Sequence, residues 1–375
     1  MSTLSEATPK TEGRAGLPRL GFLGVGWIGK HRMEAIARSG VAEITAIGDA
    51  LPEVAAQAAQ AFPGAQVRAS LEELMEVGIE GVVIATPSAL HAQQAAAALG
   101  RGVAVFCQKP LGRTAAETRQ VLAAARAANR LVGVDLSYRY MTGVRQIQQL
   151  CRAGELGEIY AADLVFHNAY GPDKPWFYDS QLSGGGCVID LGIHLVDLAL
   201  WNLNFPRVVH VSSRLFAHGK PIAGQGNRVE DYAEARLDLE NGAAVRLACS
   251  WKLPAGTDAI ISGAFYGTKG GAAFHNVNGS FYHFMAERFQ GTKREMLTAM
   301  EEEWGGRAAV DWARRLAQGG QFDFEVDQLN QVAEALDAIY ASSSGSPAPR
   351  ILNLVNPLAQ PVGPHSTTFH VAEPV

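Results

Sequence analysis

Two short stretches of the chain bring together side chains able to bind an oxygen and move a proton. In the first, Lys109 stands between Gln108 and Pro110, directly after the apolar run 103–107 (VAVFC). A lysine at the carboxyl end of a buried strand sits where open parallel sheets place their ligands, although it can equally be a solvated loop residue. The second stretch runs from Gly184-Gly185-Gly186 through Asp190 and His194 to Asp197. On a helix, Asp190 and His194 are one turn apart and share a face, with Asp197 on the same side. A carboxylate so placed can set the tautomer of an imidazole and stabilise its protonated form. A histidine among apolar neighbours can also be an ordinary core residue. Asp, His and Asp could in principle ligate a metal, but no further ligands follow at a recognisable spacing, so no metal is expected.

A third pattern offers a phosphate cradle. Gly24, Gly26 and Gly29, with Trp27 and Ile28 between the last two, form G-x-G-x-x-G. With 40 glycines in 375 residues such a triplet arises by chance about 0.5 times, so only its surroundings give it weight. Those surroundings fit: an apolar run precedes the glycines, a helical pattern follows, and Asp49 lies 20 residues after Gly29 at the end of the next strand candidate. Gly24 permits the tight turn, Gly26 lets the backbone approach a pyrophosphate, and Gly29 allows close helix–strand packing. The pyrophosphate would rest on free N–H groups at the positive end of the helix. Asp49 would accept from the adenosine ribose hydroxyls and repel a 2′-phosphate, and Ala50 and Leu51 supply no cation to offset that repulsion. The cofactor expected is therefore NAD.

The elements needed to position these groups can be read along the chain. From residue 19 to about 136, short apolar runs alternate with helical patterns, which predicts right-handed βαβ units and a doubly wound parallel sheet over residues 18–140. The continuous apolarity of the runs suits strands buried on both faces. After about residue 140 the segments lengthen and alternate (IYAADLVFH, YAEARLDLE, AAVRLACSWKL), with one strong helix over 187–201 and another over 325–341. Asn241-Gly242 suggests a two-residue hairpin. Residues 141–360 therefore read as an α+β domain built on a large, mostly antiparallel sheet. Residues 1–17 and 361–375 read as tails.

Composition bounds the function. The formal charge of −5 carries no basic run, which argues against a nucleic-acid partner. The opening residues lack a signal-type apolar stretch, and no uninterrupted apolar run suggests a membrane span. The four cysteines, Cys107, Cys151, Cys187 and Cys249, form no C-x-x-C pair, which fits reduced thiols and a cytoplasmic setting. Residues 166–178 are rich in aromatic, amide and imidazole groups suited to a neutral carbohydrate, with Trp176 and His167 the better candidates for substrate contact. Arg139, just past the last strand of the first domain, can face the cleft or pair with a carboxylate at the domain junction. An antiparallel sheet with one uncovered face also calls for a partner copy.

Taken together, the glycine motif, Thr86-Pro87-x-x-x-His91, Lys109-Pro110, and G-G-G-x-x-x-D-x-G-x-H-x-x-D over 184–197 resemble the glucose–fructose oxidoreductase / inositol dehydrogenase (Gfo/Idh/MocA) family. The resemblance spans roughly residues 18–345. It implies a Rossmann domain followed by an open-sheet domain that serves as a dimer or tetramer interface. It implies Thr86, Pro87, His91 and Gln108 beside NAD, and Lys109, Asp190 and His194 as the catalytic set acting on a sugar or polyol. It also leaves open a hydrolase that oxidises its sugar transiently, and a nicotinamide-binding regulator. One departure stands out, because Gln108 occupies the position of the family's usual Glu.

Overall fold

The computed structural model describes residues 16–224, 228–298 and 302–343. The tail over 361–375, most of the one over 1–17, and residues 344–360 of the second domain lie outside the described residues. In the N-terminal part β1 (Arg19–Leu23), α1 (Trp27–Ser39), β2 (Glu43–Gly48), α2 (Pro52–Ala59), β3 (Gln66–Arg68), α3 (Leu71–Glu76), β4 (Gly81–Ile84), α4 (Ser88–Gly100), β5 (Ala104–Cys107), α5 (Ala115–Ala128) and β6 (Val132–Val134) alternate. The strands form one parallel sheet in the order β3-β2-β1-β4-β5-β6, the doubly wound topology expected. Phe22, Ile47 and Phe106 are buried on one face beneath α1 and α2, while Leu23, Ile84 and Val105 are buried on the other beneath α3, α4 and α5.

Side-chain caps set the starts of α3 and α5. The Thr114 hydroxyl accepts from Glu117 N–H at 3.2 Å, and the Glu117 carboxylate accepts from Arg113 N–H at 2.8 Å, a reciprocal cap for α5. Ser70 and Glu73 do the same for α3. By contrast, α1 begins at Gly26 with no side-chain cap and no acid in its first turn.

A 3₁₀ turn (Ser137–Tyr140) and α6 (Thr142–Arg152) lead into the second part. Its strands are β7 (Ile159–Asn168), β8 (Val208–Ala217), β9 (Lys220–Ile222), β10 (Tyr232–Leu239), β11 (Ala244–Ser250), β12 (Ala259–Gly267), β13 (Gly271–Asn276), β14 (Phe284–Gln290) and β15 (Lys293–Thr298). They form a nine-stranded sheet in the order β15-β14-β13-β12-β7-β11-β10-β8-β9, antiparallel except where β7 pairs with β11. The β10–β11 connection is a three-residue loop rather than the two-residue turn expected. Leu239 N–H donates to Ala243, and Gly242 takes φ +86°, the left-handed position such loops require.

The short α7 (Ser180–Ser183) leads to Gly184, Gly185 and Gly186, and a π-helical turn (Val188–Gly192) then runs into α8 (Ile193–Asn202). Over 180–202 this is the one run among the described residues long and apolar enough to cross a membrane, yet 89% of its most apolar window is buried inside the protein. The chain then does something the sequence pattern did not suggest: α9 (Arg307–Ala317) returns to the first sheet and packs Trp312 against Phe106 at a tilt. Finally α10 (Gln328–Ser343) packs on β8, α5 and α8, tying the two parts together.

Candidate active site

The carboxyl ends of β1, β4, β5 and β6 open onto one cleft of about 1240 Å³, closed on its far side by residues of the second part. That exceeds the usual 300–1000 Å³ of a small-molecule pocket and leaves room for a dinucleotide and a substrate together.

The three glycines after β1 are there for three different reasons. A Cβ on Gly24, which sits at φ +85°, would lie 2.5 Å from the Ala85 carbonyl oxygen, and one on Gly29 would lie 2.0 Å from that of Gly24. A Cβ on Gly26 would meet nothing within 4 Å, so its absence keeps open the space in front of the uncapped first turn of α1. Trp27, 71% exposed, and Ile28 begin that turn, and both line the cleft. The Asp49 carboxylate accepts from Val25 N–H at 2.8 Å and Leu51 N–H at 3.0 Å, which locks it against the glycine turn. The uncapped helix start, the space before Gly26 and the acid beside them fit a bound nicotinamide dinucleotide.

Thr86 and Pro87 line the cleft after β4. The buried His91 ring spans from the Thr86 carbonyl to the Pro110 carbonyl, 2.7 Å at each nitrogen, so it braces the loops after β4 and β5 against each other. Burial lowers its pKa.

Gln108 sits over a buried network that sequence reasoning missed. Its amide nitrogen donates to Asp135 Oδ2 at 2.5 Å. The same oxygen accepts from Arg32 Nε at 2.5 Å, and Ser137 donates to Asp135 Oδ1 at 2.6 Å. With its nitrogen so engaged, Gln108 keeps its carbonyl oxygen as an acceptor, and a carboxylate is still present in the cleft floor, on Asp135 rather than at position 108. The signals were there: Arg32 falls on the buried stripe of α1 with Gly29, Met33 and Ile36, and Asp135 interrupts an apolar strand end.

Lys109 crosses the domain junction. Its ammonium donates to the Asp190 carbonyl oxygen and to Oδ1, at 2.6 Å each. The indole N–H of Trp251 donates to Asp190 Oδ2 at 3.0 Å. His194 is buried, its ring 4.9 Å from that of Tyr138, and the ring nitrogens make no hydrogen bond to another described residue. Burial first, then the charges of Lys109 and Arg32, hold its pKa well below the usual histidine value. The expectation that Asp190 orients His194 is therefore corrected. Both carboxylate oxygens of Asp190 are taken by Lys109 and Trp251, so although Asp190 and His194 line the same cleft no hydrogen bond joins them.

Two of the expected substrate contacts lie elsewhere. Arg139 grips Asp197 through Nε, at 2.9 and 3.1 Å, and through Nη2, between Trp201 and Phe205. Both residues are outside the main cleft, so the pair holds the domain junction and Asp197 does not join Asp190. Burial raises the Asp197 pKa against the pull of Arg139. His167 points to the open face of the sheet, because strand alternation turns its neighbour Phe166 inward toward His194. There it bonds Ser250 at 2.8 Å and stacks on Tyr232. Trp176 does line the cleft, stacked on Phe177 at 3.8 Å. The remaining wall, Phe281–His283 and Glu302–Gly305, had no recognisable signal in the sequence, because it comes from loops that only the fold brings to the cleft.

Comparison with known proteins bears on the family and the fold. Residues 19–136 match the family model described as oxidoreductase family, NAD-binding Rossmann fold, and residues 144–273 match the GFO/IDH/MocA C-terminal domain. The rhizopine catabolism protein MocA of Rhizobium meliloti is 30% identical over 256 residues, covering 67% of this chain and 76% of that protein. D-glucoside 3-dehydrogenase of Escherichia coli (strain K12) is 28% identical over 240 residues, 61% of this chain and 66% of its own length. Among solved structures, a levoglucosan dehydrogenase in complex with NADH superposes with a TM-score of 0.76 at 23% identity, over 90% of this chain and all of that one, which shows the shared fold.

Proposed function

The chain belongs to the Gfo/Idh/MocA family of NAD-binding oxidoreductases, and from that premise we propose that it oxidises a secondary hydroxyl of a sugar or polyol with NAD as hydride acceptor. The observation that carries the reading is the meeting of Lys109, from the first domain, with Asp190 and His194, from the second, in one wall of the dinucleotide cleft. The aromatic wall at Trp176 and Phe177 supports a carbohydrate, whose C–H faces pack on rings. NAD when bound supplies the electron acceptor; the chain supplies position and proton handling. An ammonium has three donors, and Asp190 takes two from Lys109, leaving the third for the reacting oxygen, where it stabilises developing negative charge. His194, kept neutral by burial and by neighbouring cations, takes the hydroxyl proton on a ring nitrogen. Asp49 favours NAD over NADP by its charge beside the glycine turn.

The uncovered face of the nine-stranded sheet carries Ile260, Tyr266 and Met296, each more than a third exposed, which supports a second copy of the chain as its cover. Light scattering in solution tests that point, and a monomer at micromolar concentration refutes it.

The test of the activity is absorbance at 340 nm with NAD and a panel of inositols, aldoses, anhydrosugars and glycosides. Growth of the NADH band with any of them supports the reading, and the pattern of hits maps the hydroxyl recognised. A flat trace with NADH binding confirmed separately overturns it. Glycoside cleavage without net absorbance change would instead support the transient-oxidation hydrolase.

A further inference from the structure

The Asp190 carboxylate is held from two sides, and only one of its partners belongs to the set described above. Lys109 takes Oδ1; Trp251, immediately after β11 and 3% exposed, takes Oδ2 through its indole N–H. The Trp251 backbone is itself pinned, donating to the Asp231 carbonyl at 2.7 Å. A carboxylate with a single donor can turn about its Cβ–Cγ bond, whereas two donors on separate oxygens fix its plane. The same indole meets Tyr178 edge-on at 5.6 Å and Phe177 at 6.3 Å. Those rings belong to the 3₁₀ turn Pro175–Tyr178, whose Trp176 lines the cleft.

We propose that Trp251 is a positioning residue: its indole N–H fixes the plane of the Asp190 carboxylate that holds Lys109, and its ring ties that carboxylate to the turn bearing Trp176. This rests on the reading of Lys109 and Asp190 as catalytic. Bulk alone does not account for the residue, since phenylalanine would fill much of the same space. A buried indole N–H needs an acceptor, and here the acceptor is the carboxylate on which the lysine depends.

Trp251→Phe keeps a ring against Tyr178 and removes the donor. Two measurements follow. In a ¹⁵N–¹H spectrum of the full chain, six tryptophans give a small set of indole signals, and the one lost in Trp251→Phe is that of Trp251. It is expected to move upfield in Asp190→Asn, as its acceptor weakens. An unchanged signal overturns the proposal. With a substrate that the wild type oxidises, Trp251→Phe is expected to lower kcat roughly tenfold while leaving NAD affinity unchanged. In the Asp190→Asn background the same change should add less than about twofold, because both substitutions act through one carboxylate. Equal losses in both backgrounds would mean that Trp251 acts through packing alone. If Trp251→Phe does not fold, Trp251→His assigns the signal, and the comparison of wild type with Asp190→Asn still decides. A wild type that oxidises nothing removes the functional reading, while the spectrum separately decides the hydrogen bond.

Discussion

The Lys109 ammonium lies 2.6 Å from both the backbone carbonyl oxygen and Oδ1 of Asp190, 81 residues away in the other domain. One lysine thus reports whether the two domains are assembled around the cleft. Removing its donor with Lys109→Met should lower kcat by about 10²–10³-fold, the usual effect of deleting a donor to a developing oxyanion. Fluorescence titration with NADH should give an affinity within a few-fold of wild type. An unchanged kcat would remove Lys109 from the chemistry.

His194 carries a pH signature. Its pKa is lowered in the fold by burial and by Lys109 and Arg32, so the folded protein binds fewer protons there than the unfolded chain. Stability from this group is complete above about pH 6.5 and is lost as pH falls from there toward the folded value. His91, lowered by burial, acts in the same direction. Thermal melts should show Tm dropping below about pH 6.5, less steeply in His194→Gln. For sugar oxidation, the acid limb of kcat should lie below 6.5, and His194→Ala should cost about 10²–10⁴-fold in rate. A kcat within threefold of wild type would sink the assignment.

The glycines separate packing from binding. Gly26→Ala introduces a methyl that meets no protein atom, at φ −60°, where alanine is unstrained. It should melt within about 0.5 kcal/mol of wild type yet bind NADH at least tenfold more weakly. Gly29→Ala drives a carbon to 2.0 Å from the Gly24 carbonyl oxygen and should cost about 2 kcal/mol or more in chemical denaturation. Equal behaviour of the two variants would place the phosphates somewhere else.

Gln108→Glu would set a second carboxylate 2.5 Å from Asp135 Oδ2. A loss of about 1–3 kcal/mol is expected, together with weaker NADH binding. Adding Asp135→Asn should restore both, since the pair would then carry its single charge at position 108. No recovery in the double variant would show that Arg32 requires its carboxylate at 135.

Arg139 and Asp197 should behave as structure. The pair is nearly enclosed, with side-chain exposures of 18% and 2%. Arg139→Ala leaves a buried carboxylate without its partner and should destabilise by about 3–5 kcal/mol. Substrate KM in the surviving folded protein should stay near wild type, and a large rise in KM would return Arg139 to the cleft.

Much of the molecule is written locally, and there the sequence alone suffices. The βαβ alternation, the glycine turn with Asp49, and Lys109 at a strand end depend on short-range periodicity and on where a parallel sheet leaves its carboxyl ends, so they can be read from residue order. Alternating strands and a buried helix over 187–201 were legible for the same reason. What the tertiary structure decided is the partner of each polar group. Asp190 and His194 are four residues apart and line one cleft, but partners from distant parts of the chain, Lys109 and Trp251, take the carboxylate and leave the imidazole against Tyr138. Arg139 and Asp197 meet across 58 residues and Arg32 and Asp135 across 103, distances over which no local pattern operates. His167 was lost to the cleft by a single step of strand alternation. Those pairings are set by which buried charges must find each other once two hydrophobic cores have closed: the sequence marks Arg32, Asp135 and Arg139 as polar groups in buried surroundings, but not which partner each one takes.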